Sequence, residues 1–177
     1  MNEVSSRIAT SALFIALIVV FAHLFQGMLN GINALVIPIA IGIVFVRLKN
    51  KDRTLFVLAL ILTLGFLRPR QLVFMVAYLI IGRFLLQLEA PSLQNRKRTG
   101  AHVLVLTLLS MPLYLGSIVL TDLILGTNIF QISMTVFGGA FLKYGSVLLL
   151  QSFMISAAQV FLWKRIVKTN VILYKNV

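Results

Sequence analysis

Apolar residues run along this chain in long continuous blocks set apart by short polar clusters, with neither the helical-surface period nor the alternation of a half-buried strand. Six blocks can be read off the sequence, at approximately 8–29, 32–47, 54–67, 71–88, 102–121 and 135–163. Their separators are Asn30-Gly31, Arg47 to Arg53, Arg68-Pro69-Arg70, Glu89 to Gly100 and Asp122 to Gln131. A helix of about 20 apolar residues crosses the roughly 30 Å of bilayer hydrocarbon, so each block predicts a membrane-crossing helix. The third block is short: its residues 54–67 rise only about 21 Å as a helix, which fits a half-helix or re-entrant segment as well as a full crossing. The sixth exceeds what a crossing needs and predicts tilt or a kink, with Gly138, Gly139 and Gly145 as the weak points. A closed β-barrel would need alternating segments and is disfavoured.

Composition turns this pattern into a fold class. Of 177 residues 60% are hydrophobic and 11% charged, and the mean hydropathy is +1.02. The expectation is an all-α integral membrane protein, one compact bundle of about six transmembrane helices forming a single domain over residues 1–177. The first apolar run exceeds a signal-peptide core and is read as the first helix. Lysine and arginine collect in cytoplasmic loops, which fixes orientation. With both termini inside, the cytoplasmic face receives Arg7; Arg47, Lys49, Lys51 and Arg53; Arg96, Lys97 and Arg98; and Lys164, Arg165, Lys168 and Lys175, 12 of the 16 basic residues. The +12 net charge is then explained by topology and anionic inner-leaflet lipid, with no call for nucleic acid. The expected location is a bacterial plasma membrane, crossed several times.

The residues that break this charge rule are the candidates for function. Arg68 and Arg70 fall on the outer side around Pro69, where two guanidinium forks suit a carboxylate or phosphate, or else lipid phosphates. Lys143, beside Tyr144, lies about two turns inside the outer end of the last block and needs water, a ligand or a carboxylate. Asp122, the outer acid, is the expected partner of Lys143 or of an arginine at 68–70. His23, Gln26, Asn30 and Asn33 near the first outer turn, with Asn128 and Gln131 before the last helix, complete a candidate solute-binding set. Arg83 is placed to reach headgroups, and Trp163 and Tyr174 to anchor the inner interface. His23 and His102 fall on opposite sides and cysteine is lacking, so neither a metal site nor a disulfide is expected, and no cofactor. Four acids (Glu3, Asp52, Glu89 and Asp122) form no close pair, and phosphate loop, nucleophile elbow and paired-histidine motifs are missing, so no enzyme is expected.

One packing motif stands out: Ala9, Ala12 and Ala16 share a face of the first helix, where small residues allow close helix approach. The stretch Arg7-Ile8-Ala9-Thr10-Ser11-Ala12-Leu13-Phe14-Ile15-Ala16-Leu17-Ile18-Val19-Val20 resembles the opening of the substrate-binding S components of energy-coupling factor (ECF) transporters. Chain length, six-helix organisation and basic inner loops look similar too. The resemblance implies a subunit that captures a vitamin or similar micronutrient at the outer side. It further implies that Ala12 and Ala16 contact a transmembrane coupling subunit, which carries two ATPase subunits. It implies a pocket from Gln26 to Asn33, Arg68 to Gln71 and Asp122 to Lys143, and the two arginines and Lys143 point to an anionic solute. A second resemblance rests on the basic 47–53 loop and Tyr78-Leu79-Ile80-Ile81-Gly82-Arg83, which look like the rod-shape protein MreD. That implies a membrane scaffold of the cell-wall machinery with no small ligand.

Overall fold

A computed structural model of the chain describes residues 3–25, 30–88 and 96–169. Within these residues the chain is all-helical: α1 (Glu3–Leu24), α2 (Asn30–Arg47), α3 (Asn50–Leu67), α4 (Pro69–Gln87), α5 (Arg96–Leu125), α6 (Ile129–Val136) and α7 (Phe141–Thr169). Five of them, α1, α2, α4, α5 and α7, are long and apolar enough to cross a membrane.

Four helices form the core, with α2 packed on α4, α4 on α5, α5 on α7 and α7 back on α2; α1 lies against α2 and α3, and α3 against α4. Close approach is set by glycine. A Cβ on Gly82 of α4 would stand 2.9 Å from the Pro38 carbonyl oxygen and 2.9 Å from the Ile41 side chain, and one on Gly42 would meet the buried Trp163 ring at 2.8 Å. Bare backbone at these two positions therefore lets α4 and α7 seat directly on α2.

Pro38 has a second effect. Having no N–H, it leaves the carbonyl of Ala34, four residues earlier, without its helical partner. Two neighbouring helices supply donors instead: the Tyr114 hydroxyl from α5 at 3.2 Å and the Gln159 amide nitrogen from α7 at 2.8 Å. Inside hydrocarbon such substitution keeps a proline-containing helix tolerable.

These contacts also set the helices' levels. Gly31 lies against Gln151, Ala34 against Gln159 and Gly42 against Trp163, so α7 runs parallel to α2. Its first ten residues, about 15 Å, therefore extend past the start of α2. The end of α5 overhangs in the same way beyond Tyr114, and α6 joins the two overhanging ends. Large apolar side chains cover much of the outward surface: Leu13, Leu17, Val20, Leu58, Leu62, Phe66, Leu108, Leu123, Leu150 and Phe161 are all exposed. Such a surface suits hydrocarbon and not water.

Three expectations are corrected. The third block is not 54–67 but an 18-residue helix, because the polar separator supplies its first turn: Arg53 donates from Nε to the Leu48 carbonyl at 2.8 Å and from Nη1 to Asn50 at 3.0 Å. It matches α2 in length, though its charged first turn sets it apart from the five apolar helices. The block at 135–163 is two helices, broken where Gly138 and Gly139 adopt φ of 73° and 72°; Gly145 lies inside α7 without a break. The stretch from Asp122 to Gln131, read as a loop, contains the end of α5 and the start of α6.

Candidate functional site

The ends of the bundle differ in chemistry. Arg47, Lys49, Lys51, Arg53, Lys97, Arg98, Lys164, Arg165 and Lys168 mark one end, and there Arg7 of α1 pairs with Asp52 of α3 at 3.1 Å. The opposite end is where α1 finishes, α2 begins and the α3–α4 turn lies. Several of the sequence-named residues meet there.

Asn30, at the start of α2, is the hub. Its side-chain oxygen accepts from Asn33 at 3.2 Å and from Gln71 of α4 at 3.1 Å. Asn33 also donates to the Phe25 carbonyl, 2.5 Å away, tying the end of α1 to α2. The Arg68 guanidinium rests against the ring nitrogens of His23. Pro69 stands at the first turn of α4, where its missing N–H costs nothing, and this sharp start holds Arg68 beside α1 and turns Gln71 inward. His23, Asn30, Asn33 and Arg68 thus form one cluster with Gln71, drawn from α1, α2 and α4. Gln26 lies outside the described residues.

The arginines do not act as a pair. Arg68 turns to His23, while Arg70 is close enough for its charge to act on Asp122 of α5.

Asp122 itself is committed locally. Its carboxylate accepts the backbone N–H of Ile129 at 2.8 Å, that of Phe130 at 2.7 Å and the Thr127 hydroxyl at 2.5 Å, capping the first turn of α6. The expected Asp122–Lys143 pair is not formed. Lys143 is exposed on the overhang of α7, beyond the start of α2, and makes no ion pair among the described residues. Tyr144 packs its ring between Phe130 and Phe137, with centroids 5.8 Å away in each case, and so holds α6 against α7. Asn128 and Gln131 are exposed and line a shallow, open depression with Thr135 on α6. These residues make up the overhang and add nothing to the His23–Gln71 cluster.

Sequence reading did not single out Tyr78 or Gln159. Asn33 and Gln159 are fully buried, as is Tyr78, and Gln71 nearly so. The side-chain oxygens of all four lack a hydrogen-bond partner among the described residues. The signal of Tyr78 and Gln159 in the sequence is slight, each a polar residue with apolar neighbours on both sides, although a polar side chain at that depth is a functional pointer in its own right.

No family model, curated protein or solved structure matches this chain.

A further feature lies toward the basic end. Ala9, Ala12 and Ala16 are exposed on α1, and Ala12 lines a groove of about 430 Å³ with Ile8 and Ile15 of α1 and Leu55 and Ala59 of α3. The alanine face therefore looks away from the core.

Proposed function

We propose that this chain is the membrane-embedded, substrate-binding subunit of an ECF-type micronutrient transporter, with six crossings and both termini in the cytoplasm of a bacterium. The reading is carried by one observation: His23, Asn30, Asn33, Arg68 and Gln71, scattered over 49 sequence positions, converge at the end of the bundle opposite the basic face. On this reading that end faces outward and receives the solute. Arg68 and Arg70 add positive charge at its rim, which suits an acidic group on the solute. The exposed alanine face of α1, above the apolar groove shared with α3, suits a coupling subunit that brings two ATPase subunits, since small residues allow close helix contact.

The test is a thermal-stability screen of the purified full chain against vitamins, nucleobases and amino acids. A specific solute at 100 times its Kd adds about 2.7 kcal/mol of stability. A screen without any shift, together with co-purification of cell-wall synthesis proteins, overturns the transport reading in favour of the MreD-like scaffold.

A further inference from the structure

Four buried polar atoms lack partners among the described residues, and contacts link the residues that carry them. Asn33 and Gln71 share Asn30 as an acceptor. Gln159 donates to the carbonyl of Ala34, the residue after Asn33. The Tyr78 ring packs edge-on against Tyr114, whose hydroxyl shares that carbonyl. Asn33 Oδ1, Gln71 Oε1, Tyr78 Oη and Gln159 Oε1 thus belong to buried residues that these contacts link to the first turns of α2.

What they lack can be specified. The Asn33 and Gln159 amide nitrogens each point at a backbone carbonyl, which can only accept. Turning either amide over would set oxygen against oxygen, and Gln71 is held the same way through Asn30. These three amide oxygens are therefore acceptors whose missing partners must be donors, while the Tyr78 hydroxyl can donate or accept. The hydroxyls on α5 offer none: Ser117 and Thr121 each donate to the carbonyl four residues back in their own helix. An unmet acceptor in such an interior costs about 1–3 kcal/mol, and several around one turn mark a place that water or a solute fills. Among the described residues the buried polar side chains are asparagine, glutamine, serine, threonine and tyrosine, with no charged group. An ionic group would be stripped of water there with no counter-charge, so an uncharged donor fits best.

We propose that the Asn33–Gln71–Tyr78–Gln159 cluster is a water-accessible compartment that binds the uncharged, N–H- or O–H-donating part of a solute, such as an amide or N-heterocycle. It rests on the transport reading and deepens it: the acidic group of the solute stays at the Arg68 rim while its neutral donor end enters the core.

The chain has no native cysteine, so single cysteines report access without background. The full chain in lipid nanodiscs carries Asn33→Cys, Gln159→Cys or Ser156→Cys, a near-isosteric change at a fully buried hydroxyl one turn before Gln159 on α7, which guards against misfolding of the first two. Ala22→Cys and Leu64→Cys, fully buried on apolar faces, are the controls. Each is treated with neutral, cationic and anionic methanethiosulfonates, and modification is followed by intact mass, normalised to each reagent's rate with free thiol. The expected result is modification of the three test cysteines at least about tenfold faster than the controls, with the neutral reagent favoured over both charged ones. Rates equal to the controls overturn the compartment, and preference for the anionic reagent overturns its assigned chemistry. Neither outcome depends on finding the solute: an empty solute screen with labelled cysteines defeats the transport reading alone. A solute hit with protected cysteines places binding elsewhere and defeats this proposal alone.

Discussion

Gln159 of α7 donates its amide hydrogen across 2.8 Å to the carbonyl of Ala34 in α2, the very carbonyl that Pro38 leaves open. The two residues are 125 positions apart in sequence, and a proline defect in one helix becomes the clasp for another. Replacing Gln159 by Leu is expected to cost about 1 kcal/mol in the native chain. In a Pro38→Ala background the helix supplies its own donor to Ala34, and the same replacement should cost well under half as much. Thermal unfolding of the four proteins of this cycle measures the coupling; equal costs in both backgrounds would refute the clasp.

The seating of α4 on α2 predicts a contrast between two glycines. Gly82→Ala brings a methyl group to 2.9 Å from the Pro38 carbonyl oxygen, which belongs to backbone and cannot swing aside, so a loss of about 1–3 kcal/mol is expected. Gly116→Ala in α5 meets nothing within 4 Å and should be neutral or gain about 0.5–1 kcal/mol from reduced backbone freedom. Midpoints of thermal unfolding in one detergent decide, and similar shifts for the two would contradict the packing described.

Asp122 holds the first turn of α6 through two backbone N–H groups and a threonine hydroxyl. Asp122→Ala is expected to cost about 1–2 kcal/mol and to speed hydrogen exchange at the Ile129 and Phe130 amides, leaving the four-helix core protected. If Asp122 served as a counter-ion to Lys143, Lys143→Met would reproduce these effects; the expectation is that it does not.

The alanine face of α1 predicts a separation of binding from uptake. Ala12 is exposed, so Ala12→Phe should change stability by no more than about 0.5 kcal/mol and leave solute binding intact. Uptake in cells should fail, because the bulky ring blocks the coupling subunit. Full uptake by this variant counts against the proposed coupling contact.

The helical blocks were legible because long apolar runs admit few other structures, and Gly138 and Gly139 announced the break before α7. Helix ends were less so: Asn50 to Arg53 looked like a loop, yet charged residues serve well as a first turn at a membrane face. The Asp122–Lys143 pairing was misjudged because a carboxylate in a polar stretch can serve a distant cation or the nearest free N–H groups, and the nearer groups prevail. His23, Asn30, Asn33 and Arg68 were recognisable from their place at block ends. Tyr78 and Gln159 were not, because each is a polar letter with apolar neighbours on both sides. The role of Gln159 comes from a carbonyl freed by a proline in another helix, which no local window displays.

The overhang of α5 and α7 sets the protein's relation to the sheet around it. Helices of about 45 Å and 43 Å stand beside neighbours of about 27 Å, and a lipid layer of uniform thickness cannot match both. On one flank acyl chains must stretch or the long pair must lean, while on the other the sheet relaxes to its ordinary depth. The molecule thus carries a built-in wedge, and reconstitution into lipids of increasing chain length should favour it up to the length at which the short flank becomes the strained one.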